Sequence, residues 1–296
     1  MMQPSDQPFQ LRSDQAMPGL RCKDDLDWCN IQFNMREGVS LTPSLPIGSD
    51  AAYIWIPKNG CTSLKMAWLN QFGSLSDQQG LDPVEAHRQA LRHTYWLNRA
   101  ELEAVAEHRQ LLAIWRDPIE RFVSACRSHL CQLTTAAIHQ KFWSNVEGDQ
   151  ARFDQAFSAH HQLFLRHGIR SLADAADPAE LMNQVALQLP AWIACHLDWS
   201  HHTLPQISFL GGDPGLYTTI LGMEQIDVLI AHWQSRSGEI LQQSRQHVSA
   251  EQPADAFRQL RREDLQPEAL EALHRFYASD FAFIELAINR LGPWAP

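Results

Sequence analysis

Ile54-Trp55-Ile56-Pro57-Lys58-Asn59-Gly60-Cys61-Thr62-Ser63-Leu64-Lys65 decides how the chain folds. The β-favouring apolar run from Tyr53 to Ile56 stops at a proline, and a short glycine-bearing turn follows. Leu64, Ala67 and Trp68 then recur at i, i+3 and i+4, the apolar face of a helix. The unit is strand, turn, helix, with the turn at the helix N-terminus. There the first N–H groups lack intrahelical partners and the helix dipole adds partial positive charge, which suits an anion. Thr62 and Ser63 add hydroxyls, Lys58 adds a full charge, and Gly60 lets the backbone come close to a bound group. The lysine precedes the glycine, so the G-x-x-x-x-G-K-S/T spacing of an ordinary nucleotide triphosphatase loop is absent.

A second unit of the same kind follows. Leu111-Leu112-Ala113-Ile114-Trp115 reads as a buried strand and leads into Arg116-Asp117-Pro118-Ile119-Glu120-Arg121-Phe122-Val123-Ser124. Asp117 suits an N-cap, Pro118 the first helical position and Glu120 the third. Ile119, Phe122, Val123, Cys126 and Leu130 share one helical face, which is core. Ser124 lies roughly 140° round from Ile119, off that face. Arg116 and Ser124 can therefore both look over the C-terminal edge of a sheet, where open α/β sheets bind ligands. Arg121 and Arg127 read as surface residues or partners of acids.

The 296 residues are 45% hydrophobic and 20% charged, within the range of a globular protein. Residues 1–48 read as a polar, proline-bearing tail and irregular lead-in, and 49–296 as a single domain. A net charge of −10 predicts no general surface for nucleic acid, so an anion site must be a local pocket. No stretch approaches the ~18 apolar residues of a membrane span, and the first twenty residues lack an apolar signal core. The expected location is cytoplasmic. Six cysteines without a C-x-x-C pair read as reduced thiols, and no metal is expected.

Elsewhere the sequence predicts helices over Arg99–Arg109, Phe153–Leu165, Ala179–Leu189, Gln225–Ser235 and Pro267–Arg290, with Gly73 as a helix C-cap. Short strands are expected at Leu204–Leu210 and Tyr217–Leu221. The predicted class is α/β, with a central, mainly parallel sheet and a helix-rich C-terminal half.

The two units together resemble the carbohydrate sulfotransferases, the family of the chondroitin and HNK-1 enzymes. A Pro-Lys-x-x-Cys-Thr-Ser loop corresponds to Pro57-Lys58-Asn59-Gly60-Cys61-Thr62-Ser63, and Arg-Asp/Glu-Pro-x-x-Arg-x-x-Ser-Ala to Arg116 through Ala125. Downstream, Phe153-Asp154-Gln155-Ala156-Phe157, His202-Thr203-Leu204-Pro205-Gln206, Gly222-Met223-Glu224 and Tyr277-Ala278-Ser279-Asp280-Phe281 resemble further family segments, in order. Cys126 and Thr203 stand where relatives carry aromatic residues. The resemblance implies a P-loop-like fold and 3′-phosphoadenosine 5′-phosphosulfate (PAPS) as sulfuryl donor. It implies that Lys58, Asn59, Gly60, Cys61, Thr62 and Ser63 hold the 5′-phosphosulfate, and that Arg116 and Ser124 hold the 3′-phosphate. The acceptor would be a hydroxyl, expected on a saccharide.

Lys58 would neutralise charge on the leaving group, a role that fits a compact ammonium on a flexible stem. The acceptor hydroxyl needs a base, and His93, in Arg92-His93-Thr94-Tyr95-Trp96-Leu97, stands where relatives place a histidine before an aromatic and a leucine; His87 and His202 are the other candidates. Two competing classes stay open at this point, a P-loop-like nucleotide kinase or other transferase and a non-catalytic PAP(S)-binding module.

Overall fold

The computed structural model describes residues 38–72, 89–133, 177–237 and 256–291, with Met35 and positions 149–151, 154, 158, 162 and 166. Its sheet comprises β1 (Thr42–Ile47), β2 (Ala51–Ile54), β3 (Tyr95–Leu97), β4 (Gln110–Trp115) and β5 (Thr219–Gly222), in the order β3-β1-β2-β4-β5. β2, β4 and β5 are parallel, whereas β1 runs antiparallel to both β2 and β3. β3 therefore points the same way as β2, and the sheet is mainly parallel. Register places Ile54 beside Ala113 and Trp115 beside Gly222, so the chain leaves β2, β4 and β5 over one shared C-terminal edge.

The helices are α1 (Cys61–Phe72), α2 (Arg99–His108), α3 (Pro118–His129), α4 (Pro178–Leu187), α5 (Leu189–Cys195), α6 (Leu197–Thr203), α7 (Ile207–Leu210), α8 (Ile226–Ser237), α9 (Pro267–Phe276) and α10 (Ala278–Leu291). From residue 177 on, the described chain is helical apart from β5, turns and connections. Local chemistry explains the starts of α2 and α3. Asn98 and Glu101 form a reciprocal capping box, and the Asp117 carboxylate accepts from the N–H groups of Ile119 and Glu120. The continuous apolar runs of β2 and β4 are sealed on both faces, as parallel strands require.

Three expectations change. Residues 42–47 are not irregular but form β1, hidden in the sequence by Pro43 and Pro46. The Pro46 backbone points past the end of β3 rather than at β2, so no ladder bond is lost there, and its carbonyl accepts from the Trp68 indole (2.6 Å). Leu204–Leu210 is not a strand: Ile207–Leu210 is helical and closes on Gly211 in a left-handed conformation. The long helix expected over 267–290 is two helices that meet at Tyr277. Phe153, Phe157 and Gly73 lie outside the described residues.

Candidate active site

Beyond β2 the chain stays buried through Pro57 and then turns tightly, with the Asn59 N–H donating to the Ile56 carbonyl. Lys58 adopts φ +69°, a left-handed conformation that costs a non-glycine residue roughly 1–2 kcal/mol. Three side chains hold the turn in that shape. Arg116 Nη1 donates to the Lys58 carbonyl (2.9 Å), Arg121 Nε to the Pro57 carbonyl (2.8 Å), and Asn59 Nδ2 to the Ile114 carbonyl at the end of β4 (2.8 Å). Strain of this sort persists only where its surroundings enforce it, and it concentrates at ligand sites.

Gly60 has φ +68°, and its carbonyl accepts the first helical bond of α1, from Leu64. A Cβ there would come within 2.7 Å of Ile226 and 2.9 Å of Met223. The glycine thus admits the start of α8 and the turn after β5, a packing reason the sequence did not disclose. The half-buried Cys61, Thr62 and Ser63 open α1, whose first turn contains no acid. Their N–H groups are the unpaired donors of a helix start.

Arg121 departs most from expectation. It is fully buried rather than at the surface, and it binds two chain segments at once: Nε takes Pro57 and Nη1 takes the Leu204 carbonyl (2.7 Å). Nη2 is sealed from solvent with no partner. Arg116 keeps part of its fork free after Nη1 has met Lys58. Among the described residues none forms an ion pair with Lys58, Arg116 or Arg121. Burial pulls the Lys58 amine down to about 8; Cys61 opposes this and the two arginines add to it. Burial likewise lowers Arg116 and Arg121, both of which stay charged. Such a concentration of unpaired positive charge is stabilised by an anion.

The side chain of Asn59, expected to touch the donor, is instead committed inward. It is fully buried, and Nδ2 also donates to Gln206 Oε1 (2.6 Å). Gln206 additionally accepts from the Arg116 N–H (3.3 Å) and donates to the Arg116 carbonyl (2.8 Å). One buried amide therefore locks the first anion turn to the second. Gln206 is in turn fixed by Asp280, which accepts from the N–H groups of Gln206 and Ile207, while the Tyr277 hydroxyl donates to the Thr203 carbonyl (2.7 Å). The late motifs are the brace of the early ones. No local signal in the sequence shows that these segments touch.

Ile119, Phe122, Val123 and Cys126 are fully buried, and Ser124 is half-buried with an uncommitted hydroxyl, on the face the periodicity assigned. The His93 ring lies 5.8 Å from that of Trp68 in α1. β3 starts at Tyr95 opposite Ser44, which also pairs with Ile54, so the strand begins level with the C-terminal end of β2 and residue 93 stands two positions before it. Burial and the neighbouring Arg92 pull the His93 imidazole down to about 4. His87 lies outside the described residues.

His202, the other candidate among the described residues, is near the site. It lies in the last turn of α6, two residues before Leu204, whose carbonyl Arg121 holds, and its ring stacks on His129 of α3 with centroids 3.9 Å apart. Among the described residues no helix is long and apolar enough to cross a membrane.

A sequence model described as the sulfotransferase family matches residues 50–285. No curated protein and no solved structure matches the chain.

Proposed function

Since the chain belongs to the sulfotransferase family and transfers a sulfuryl group, we propose that its donor is PAPS and its acceptor a hydroxyl on a saccharide. One observation carries the donor reading: Lys58, Arg116 and Arg121 converge on the start of α1 with no acid among the described residues paired to them. The donor has two anionic ends, and the site offers two sets of donors. The free N–H groups opening α1, with Lys58, Thr62 and Ser63, suit the 5′-phosphosulfate. The open part of the Arg116 fork and the uncommitted Ser124 hydroxyl suit the 3′-phosphate.

PAPS supplies an already activated sulfuryl group, so the protein's task is positioning and electrostatics. Lys58 places its charge where the leaving oxygen becomes negative. The left-handed turn fixes its backbone, so only the side chain has to be ordered. Arg116 acts at a distance from the reacting centre and contributes chiefly affinity. The four described cysteines are free thiols, in keeping with a reducing compartment, and we place the reaction in the cytoplasm.

A thermal-shift comparison of PAP, ATP and inorganic sulfate tests the reading. PAP at 100 times its Kd stabilises by about 2.7 kcal/mol, while sulfate at the same concentration has little effect. A response to ATP without one to PAP would overturn the donor assignment in favour of a kinase.

A further inference from the structure

We propose that His202 takes the proton of the acceptor hydroxyl, and that the charge of the bound donor is what makes it basic enough to do so. The proposal rests on the PAPS reading and assigns the missing base. As the acceptor oxygen forms its bond to sulfur, its proton passes to His202, and the bridging oxygen departs with the S–O electron pair on the PAP product.

The His202 segment is joined to the Lys58 turn by a single guanidinium, with Arg121 reaching Leu204 on one side and Pro57 on the other. The segment cannot drift, because Tyr277 holds Thr203 and Asp280 holds Gln206 and Ile207. Thr203 Oγ1 adds a bond to the Trp199 carbonyl (2.8 Å). The His202 ring is clamped face-on by His129 and edge-on by His201, with centroids 5.0 Å apart. Its Nδ1 is sealed from solvent without a partner. No other bond of the ring remains unaccounted for, so the edge left for an incoming proton is Nε2. No group of side chains able to hold a metal occurs among the described residues, so the ring is not explained as a ligand.

The charges around it explain the second half. The groups facing His202 are His129 and Arg121 of α3, His201 of α6 and Lys58 of the turn, and no acid is among them. Burial first, then His129, His201, Lys58 and Arg121, hold its imidazole well below the usual histidine value. Two imidazoles stacked at this distance cannot both carry charge cheaply. Without a bound donor His202 is therefore neutral, its Nε2 lone pair poorly basic. A polyanionic donor beside Lys58 cancels the surrounding positive field and raises its proton affinity. Base strength thus appears when the donor is in place, before an acceptor can react.

A group whose pKa rises on binding takes up a proton, so donor affinity increases as pH falls through the bound-state pKa. The test uses the full chain and PAP. Histidine NMR titration of the wild type should show the His202 pKa raised by about 1–3 units at saturating PAP. Calorimetry from pH 5.5 to 8.5 should show the wild type gaining PAP affinity over His202→Gln as pH falls, by up to about tenfold per pH unit. Titration of the PAP phosphates is common to both proteins and cancels. Release of sulfate from PAPS with water as acceptor should fall about 10²–10⁴-fold in His202→Gln. His93→Gln should leave all three readouts at wild type. A His202 pKa unmoved by bound PAP, a pH-independent affinity ratio, or more than a tenth of the sulfate release retained overturns the proposal. If His202→Gln fails to fold, the wild-type titration decides alone. Failure of the wild type to bind PAP at all overturns the donor reading itself.

Discussion

Asp280 of α10 accepts hydrogen bonds from the backbone N–H groups of Gln206 (2.8 Å) and Ile207 (2.9 Å), so a carboxylate more than seventy residues downstream starts α7. It performs the task of an N-cap without being next to the helix it caps. Removing it leaves two buried donors unpaired. Asp280→Ala should cost roughly 2–5 kcal/mol, measured by urea unfolding, and Asp280→Asn should recover part of the loss. A change below about 0.5 kcal/mol, the range of an ordinary surface substitution, would refute the brace.

Gln206 touches the donor nowhere in this scheme, yet its loss should weaken donor binding. Gln206→Ala frees Asn59 and Arg116 together, and PAP affinity should drop about 10–100-fold, the equivalent of 1.4–2.8 kcal/mol. Gln206→Glu can still accept from Asn59 but cannot donate to the Arg116 carbonyl, and should not restore the affinity. Isothermal titration at fixed pH measures both.

Lys58→Ala and Arg116→Ala should fail differently. The first should lower turnover more than PAP affinity, the second affinity more than turnover. Equal losses of affinity with unchanged turnover would contradict the assigned roles. Backbone strain supplies an independent check: Lys58→Gly should be more stable than Lys58→Ala by about 1 kcal/mol, because alanine inherits the left-handed φ and glycine does not mind it.

Neighbours on α3 should separate packing from binding. Phe122, fully buried against Trp199 with ring centroids 6.2 Å apart, should cost about 3–5 kcal/mol on truncation to alanine. Ser124→Ala should leave the apo melting temperature within a degree or so of wild type, since a substitution of this class shifts stability by under ~0.5 kcal/mol, and should shrink the shift PAP produces. If both variants melt alike, the helix carries its core on another face.

Lys65 is fully buried, with Nζ 3.1 Å from the centroid of the Trp55 ring. Burial pulls its amine down to about 7, with Cys61 opposing. Between there and the unfolded value of about 10.4, the unfolded chain holds a proton the folded chain has released. Stability from this residue therefore rises with pH across that window. Lys65→Met should be more stable than wild type at pH 7 and should flatten the rise, by up to about 1.4 kcal/mol per pH unit. The indole face favours the ammonium and so narrows the pH window. Parallel stability curves from pH 7 to 9 would sink the idea.

Local signals carried the reading of the sequence a long way. Both strand-turn-helix units and the core face of α3 follow from periodicity, and the Asp117 cap from residue type within a few positions. What escaped depends on distant contacts. Arg121 occupies a position that reads as polar surface, and only the carbonyls of Pro57 and Leu204 explain its burial. Leu204–Leu210 has strand-like residues, but Asp280 supplies the helix start from another part of the chain. β1, which joins β2 to β3 in the sheet, was concealed by its two prolines.

The brace at Asp280 also bears on how the protein comes into being. The anion turns belong to the segment from residue 57 to residue 124, yet the amide that locks them waits for α7, and α7 waits for α10. A nascent chain released from the ribosome only as far as residue 250 would hold both turns and Gln206 but lack the carboxylate that fixes Gln206 in place. Ability to bind nucleotide should therefore arrive late in synthesis and all at once, rather than growing as each motif emerges.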